Sequence, residues 1–323
     1  VQPRRKSIIA GAAVGALAVC GMALPSSDEQ VIDLSSPDQV ADAVAASPGM
    51  RLSSELDAAG SLANSDADEV TVDLDGVSVA FGFPLSDQTP FESADRTLVF
   101  TSEDANYASV LAIQDTAVQV TTVIASEDSP TEYLYEFSGD IAALELNDLG
   151  EVLTLNSEGR TIGAVEAPWA FDATGRTVPT RYVVDGLSLV QVVDHASGDF
   201  TYPLIADPTW SGKVLLKAFI SDYLASNPGR KLSAWLSAYG RAMYSGGDIT
   251  QFSNEGWSLL VGSFGAYMPA GAVRDSMKQQ WKCHVLGGHL EYGTWDLETA
   301  RPSNPNWMSR IGTVWPVSAV CNW

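Results

Sequence analysis

Residues 202–210 read Tyr202-Pro203-Leu204-Ile205-Ala206-Asp207-Pro208-Thr209-Trp210, and the chain changes character at the Asp207-Pro208 dipeptide inside this stretch. There is no lysine between Ser7 and Gly212. Residues 1–207 hold 8 basic and 33 acidic residues, a net charge of −25, whereas residues 208–323 hold 10 and 7, a net of +3. Eight of the nine tryptophans follow Pro208. Two halves of opposite charge and different construction, meeting at a marked junction, predict a precursor that carries a cargo. The acidity of the first half argues against nucleic acid as a partner and suits the masking of a cationic segment.

Upstream of the junction the pattern is that of strands. Val70–Leu74 alternates, Gly76 turns into Val77–Phe81, and further candidates are Thr97–Thr101, Ala108–Gln114, Ala117–Ala125, Glu132–Ser138, Ala143–Asn147 and Glu151–Asn156. Gly, Asp, Asn and Ser separate them at the spacing of a sandwich or open barrel. Val178–Val184 and Leu187–Val193 flank Asp185-Gly186, a dipeptide that supplies the positive φ of a tight hairpin turn. Residues 24–69 read as an acidic linker with one short helix, in which Ser36 is the N-cap, Pro37 sits at N1 and Gln39 completes a capping box.

Downstream the apolar period changes. Leu216, Ile220 and Leu224 share one helical row, and Leu215, Phe219 and Tyr223 the next. Leu232, Trp235, Leu236, Tyr239 and Met243 follow helical spacing as well, and a further helix is expected from Ala270 into Trp281. Residues 208–282 are thus expected to be a helical segment. Residues 283–323, rich in Trp and Gly, are expected to form a small β domain clamped by Cys283 and Cys321. The fold class expected is α+β in two domains: an acidic β-rich sandwich-like domain over 70–207, then the helical segment and the small Trp-rich domain.

At the start of the chain, Arg4, Arg5 and Lys6 precede the uncharged run Ile8–Ala23, with small residues Gly21 and Ala23 before Leu24. This is the layout of a secretory leader over 1–23, cut between Ala23 and Leu24. Once such a leader is removed, Cys283 and Cys321 are the two cysteines left, and in a secreted chain two such residues are expected to pair. Cofactor chemistry finds little footing. There is no P-loop, no dinucleotide fingerprint and no G-x-S-x-G. His284 and His289 match no metal-ligand spacing, and Glu291, Asp296 and Glu298 fit the wet face of a strand as well as a glycosidase pair. No catalytic residue, metal or cofactor is therefore assigned. The aromatic and cationic residues Lys213, Lys217, Arg230, Lys231, Trp235, Arg241, Trp295, Trp307 and Trp315 suit contact with a bacterial envelope, or equally the core of a small domain.

The stretch Ala164-Val-Glu-Ala-Pro-Trp-Ala-Phe-Asp-Ala-Thr-Gly175, together with Tyr202–Trp210, resembles the end of the β-rich N-terminal region in closticin-type secreted bacteriocin precursors. The resemblance covers about residues 160–210 well. It implies release of a C-terminal bacteriocin by a cut between Asp207 and Pro208, giving a product that starts Pro208-Thr209-Trp210. The C-terminal end, with Trp281-Lys282-Cys283 and Cys321-Asn322-Trp323, resembles a small secreted actinobacterial domain of unknown function. The reading that follows is a secreted, extracellular preproprotein whose residues 208–323 act at the membrane or wall of competing bacteria, with an immunity protein as a further partner. Two alternatives belong to other classes: an uncleaved cell-wall-binding protein, and a C-terminal toxin hydrolase.

Overall fold

The computed structural model describes residues 32–47, 62–66, 69–74, 76–86, 88, 90–92, 97–101, 106–113, 117–222, 229–287 and 293–310. Among the described residues the first elements are α1 (Pro37–Ala46), β1 (Leu62–Asp66), β2 (Glu69–Leu74), β3 (Val77–Gly82), β4 (Phe91–Glu92) and β5 (Thr97–Phe100). Next come β6 (Tyr107–Ile113), β7 (Ala117–Ile124), β8 (Glu132–Gly139), β9 (Ala143–Leu146), β10 (Val152–Leu155), β11 (Thr161–Val165) and β12 (Ala170–Phe171). They are followed by β13 (Thr180–Asp185), β14 (Ser188–Val193), β15 (Leu204–Ala206), β16 (Thr209–Ser211), β17 (Leu215–Asp222) and β18 (Arg230–Leu236). The last described elements are α2 (Ala238–Ser245), α3 (Ile249–Phe264), α4 (Ala272–Gly287), β19 (Trp295–Glu298) and the 3₁₀ turn Trp307–Arg310.

The fold is α+β and mostly β. A six-stranded sheet runs β1-β2-β3-β8-β14-β13, and a ten-stranded sheet runs β4-β5-β6-β7-β16-β11-β10-β9, with β15 bonded to β7 and β12. They face each other across one core, where Phe81, Tyr133, Tyr135 and Leu189 of the first sheet meet Leu111, Val118, Val120, Val165 and Trp210 of the second. The β13–β14 hairpin turns at Asp185-Gly186 as its sequence predicts, with Asp185 paired to Ser188 and Gly186 at φ +62°.

The ten-stranded sheet is buried on both faces at its centre. Every residue of β7 is buried. Its outer face is covered at one end by α1, whose Val40 packs with Val99, Ala108, Val110, Val123 and Ile205. Part of the expected acidic linker is therefore a lid on the sheet. Pro37 stands at the first helical position, but Ser36 makes no side-chain cap bond. Gln39 Oε1 instead accepts from the Asp33 amide at 3.1 Å.

At the other end a second core covers the same face. Neighbouring residues of β11 divide between the two: Val165 enters the sandwich core and Ala164 the second core. The second core gathers Val214, Leu215, Ala218, Leu232, Tyr239, Phe252, Leu260, Met277, Trp281, Trp295 and Leu297. One compact unit takes in the described residues on both sides of Pro208.

The structure corrects part of the expectation for residues 208–282. Residues 215–222 and 230–236 are an antiparallel pair of strands, β17 and β18, rather than helices. The first half of β17 is covered on both faces: Leu215 and Ala218 lie in the second core, and Leu216 packs against Ala117 of β7. A strand buried on both sides loses its period of two and imitates a helix. Helix α4 falls where the third helix was expected. Within 283–323, Cys283 ends up inside α4 and β19 adds to β18, making a three-stranded sheet β17-β18-β19. The described part of that region is thus continuous with the second core rather than a separate small β domain. Cys283 is fully buried, and Cys321 lies outside the described residues.

Candidate processing site

Strands β15 and β16 are two parts of one line of backbone laid along β7. The register runs from Leu204 opposite Ile124 to Ala206 opposite Thr122, and resumes with Thr209 opposite Gln119, Trp210 opposite Val118 and Ser211 opposite Ala117. The Asp207-Pro208 bond lies at the middle of this line, inside the central sheet. Val120 donates its amide to the Pro208 carbonyl at 3.0 Å. Proline has no amide to return, so one bond of the ladder is missing at this point.

On the other side of the line the partner strand is interrupted. β12 pairs with β15 and β11 with β16, and the intervening residues 166–169 slip the register by one. The Asp207 carbonyl, left without a partner in the ladder, accepts from Tyr182 Oη at 3.3 Å. Tyr182 belongs to β13 of the facing sheet, so this bond crosses the sandwich core.

The Asp207 side chain is 1% exposed. Its Oδ2 accepts from Thr209 Oγ1 at 2.6 Å and from Gln119 Nε2 at 3.3 Å, while its Oδ1 has no partner. Burial pushes the carboxyl up to about 7; the bonds from Thr209 and Gln119 and the Trp169 backbone oppose this, and nearby Glu166 reinforces it. Around the same bond, Trp169 Nε1 and Gln191 Oε1 are also buried without a partner. Gly163 gives Trp210 its place beside Pro208, since a Cβ there would overlap the indole. The indole Nε1 donates to Thr154 Oγ1 at 3.2 Å.

A raised pKa in the folded state means that folding favours the protonated acid. The stability it confers is fully present below the ordinary value of 3.8 and is lost as pH rises through about 7. The loss attributable to Asp207 is about 4 kcal/mol. Asp207→Asn keeps an oxygen for Thr209 and Gln119 and cannot ionise. Urea unfolding of both proteins at steps between pH 4 and 8 is expected to show their difference moving in favour of the variant as pH rises. A pH-independent difference would contradict the assignment.

A second buried cluster joins the two sides of the junction. The β10–β11 register places Val152 opposite Val165, and so sets Glu151 and Glu166 side by side at the open end of that hairpin. Both are buried, and both meet Arg241 of α2. Arg241 Nε donates to Glu151 Oε1 at 2.7 Å, Nη2 to Glu166 Oε2 at 2.6 Å, and Nη1 to the Leu236 carbonyl at 2.8 Å. Glu166 Oε1 also accepts from the Ala238 amide at 2.6 Å, at the positive end of α2. Ser237 caps that helix by accepting from the Gly240 amide at 2.9 Å, and its hydroxyl donates to the Lys213 carbonyl. Burial raises the Glu166 pKa, against the pull of Arg241 and the Ala238 amide. Burial also works against the Arg241 charge, but Glu166 and Glu151 outweigh it and hold its pKa above the ordinary value. Beside this seam a cleft of about 580 Å³ lies between Asn156, Arg160 and Ile162 on one side and Tyr239, Met243 and Glu255 on the other.

The residues expected at an envelope-binding face do not come together on one surface. Lys213 and Arg241 are buried, and Trp295 and Trp307 are 2% and 3% exposed. Trp235 is half-buried, with Lys217 Nζ 5.0 Å from its ring. Arg230 is exposed and lies 3.3 Å from Asp222 and 4.5 Å over the Tyr267 ring. Lys231 pairs with Asp296 at 3.0 Å. No described tryptophan is exposed. His284 stacks on Trp295 at 5.3 Å. Among the described residues no helix is long and apolar enough to cross a membrane. Ala23, Leu24, His289, Glu291, Trp315 and Cys321 lie outside the described residues. Sequence reasoning missed Glu151, Glu166 and Tyr182. An isolated acidic residue between apolar ones, as in Val165-Glu166-Ala167, was the available signal for the first two.

Compared with known families and curated proteins, the chain matches no family model and no curated protein.

Proposed function

We propose that the chain is a secreted preproprotein in which residues 24–207 hold residues 208–323 in a masked state, and that the Asp207-Pro208 bond is the processing bond. The freed part acts on the envelope of competing bacteria. The observation that carries this reading is the Arg241 clamp: a cation of the downstream part is neutralised by two carboxylates of the upstream part, Glu151 and Glu166. The apolar seam supports it too, since Ala164 and Leu153 of the upstream sheet pack into the downstream core. A Cys283–Cys321 disulfide is part of the proposal and ties the end of the chain to α4.

The buried tryptophans shape the mode of action. Trp295 and Trp307 are core residues in the masked state, so contact with an envelope depends on rearrangement after release. That disfavours the wall-binding alternative, which needs a standing aromatic surface.

Intact-mass analysis of the secreted chain checks the reading. The expected product begins at Pro208, and the cut preparation is expected to cause dye leakage from target bacteria while the uncut chain does not. Recovery of only uncut chain from culture, or equal leakage from both preparations, would sink the proposal.

A further inference from the structure

We propose that the Asp207-Pro208 bond is cut from within, by the Asp207 carboxyl acting on its own backbone carbonyl, with Tyr182 holding the carbonyl oxygen. This inference rests on the reading of Asp207-Pro208 as the processing bond. The first ground is access. Asp207 and Pro208 are buried in the central sheet, with strands on both sides of the line. A protease needs an extended, exposed segment, and the folded chain offers none at this bond.

The second ground is the arrangement of the reacting groups. The carbonyl that must be attacked is the one released from the ladder, and its oxygen already accepts a hydrogen bond from Tyr182 Oη. This donor sits where charge develops when the carbonyl becomes tetrahedral. The carboxyl is oriented through Oδ2 by Thr209 and Gln119, which leaves the unpartnered Oδ1 as the attacking atom. Most buried carboxylate oxygens find a donor, so one without any, next to a carbonyl also outside the ladder, calls for an explanation. The leaving nitrogen is that of proline, which makes no hydrogen bond of its own that must break.

Oδ1 of the protonated Asp207 side chain attacks the Asp207 carbonyl carbon, and a five-membered cyclic anhydride forms from Cα, Cβ, Cγ, Oδ1 and the carbonyl carbon. The carbon–nitrogen bond to Pro208 breaks, and the acid's proton goes to the proline nitrogen, which leaves as a secondary amine. Water then opens the anhydride to give two carboxyl groups on Asp207. The net reaction is hydrolysis of one peptide bond, with no oxidant or reductant. The high pKa of Asp207 keeps the acid form populated up to about 7. The titratable groups facing it are Tyr182 from β13, Tyr135 from β8 and Glu166 beyond β11; β7 presents the neutral Gln119.

The test uses the purified full chain with protease inhibitors present, followed by intact mass at about pH 5.5 and about pH 8.5. The folded chain is expected to split between Asp207 and Pro208, faster at the lower pH, and hydroxylamine is expected to trap the anhydride as a hydroxamate on Asp207. Asp207→Asn is expected to slow the split by more than about 1,000-fold. Tyr182→Phe, which keeps the ring in the core, is expected to slow it by about 100-fold with little change in melting temperature. Equal rates in wild type and Asp207→Asn, or in folded and urea-unfolded wild type, would overturn the inference. If the secreted chain from culture is cut but the purified chain stays whole, self-cleavage fails and the processing reading stands. If neither is cut, both fail.

Discussion

Arg241→Ala is expected to lower the unfolding free energy by about 3–5 kcal/mol, because it leaves two buried carboxylates facing each other without a cation. Glu151 and Glu166 are 1% and 5% exposed and adjacent across the β10–β11 hairpin. Water cannot replace the guanidinium without opening the seam. The result is read from urea denaturation near neutral pH. Adding E151Q and E166Q to the Arg241→Ala chain removes the uncompensated charge and is expected to restore more than half of the loss. A small effect of Arg241→Ala alone would mean that the seam is already wet and would count against masking by the upstream part. The variant also bears on function, since it removes the charged ties between α2 and the sheet and leaves the Ala238–Glu166 bond in place.

Trp281→Ala is expected to cost about 3–5 kcal/mol. The indole is fully buried, stacks with Phe252 at 5.8 Å, lies 5.0 Å from Trp295, and donates Nε1 to the Ser253 carbonyl at 2.9 Å. Gly256 makes the space for it, because a Cβ there would overlap the ring. Truncation therefore leaves a cavity between α3 and α4 and removes the indole's bond to the Ser253 carbonyl. Urea unfolding followed by circular dichroism checks the cost. A variant as stable as wild type would place Trp281 among contact residues rather than core.

The strands of the sandwich were legible as β-branched and aromatic runs set between Gly, Asp, Asn and Ser, and β8 alternates as well. β8 reads Glu132-Tyr133-Leu134-Tyr135-Glu136-Phe137 with every second residue buried, so its pattern states its structure. Asp185-Gly186 was equally plain, since its chemistry requires one turn. β17 was not legible, because burial on both faces of its first half erases the alternation there and a mixed apolar run serves strand and helix alike. The spacing of Leu232, Trp235, Leu236, Tyr239 and Met243 looked like one helix, yet it straddles the end of β18 and the start of α2. The junction was visible as a change of composition. That it lies within a strand was not, since pairing with β7 joins residues about 90 positions apart, as Gln119 and Thr209 show. The Arg241 clamp was hidden for the same reason: its partners are 75 and 90 residues away.

The single line of backbone through β15 and β16 has a bearing on timing. A cut at its centre severs one covalent bond but leaves Thr209–Ser211 hydrogen-bonded to β7 and Trp210 inserted in the upstream core. The two pieces then stay together as a non-covalent pair, and their separation obeys mass action. Under the proposed processing, the pair persists where it is concentrated, and dilution favours its parting. The strand would thereby make release delayed and concentration-dependent, at a rate set by this ladder and Trp210 together with the Arg241 clamp and the apolar seam.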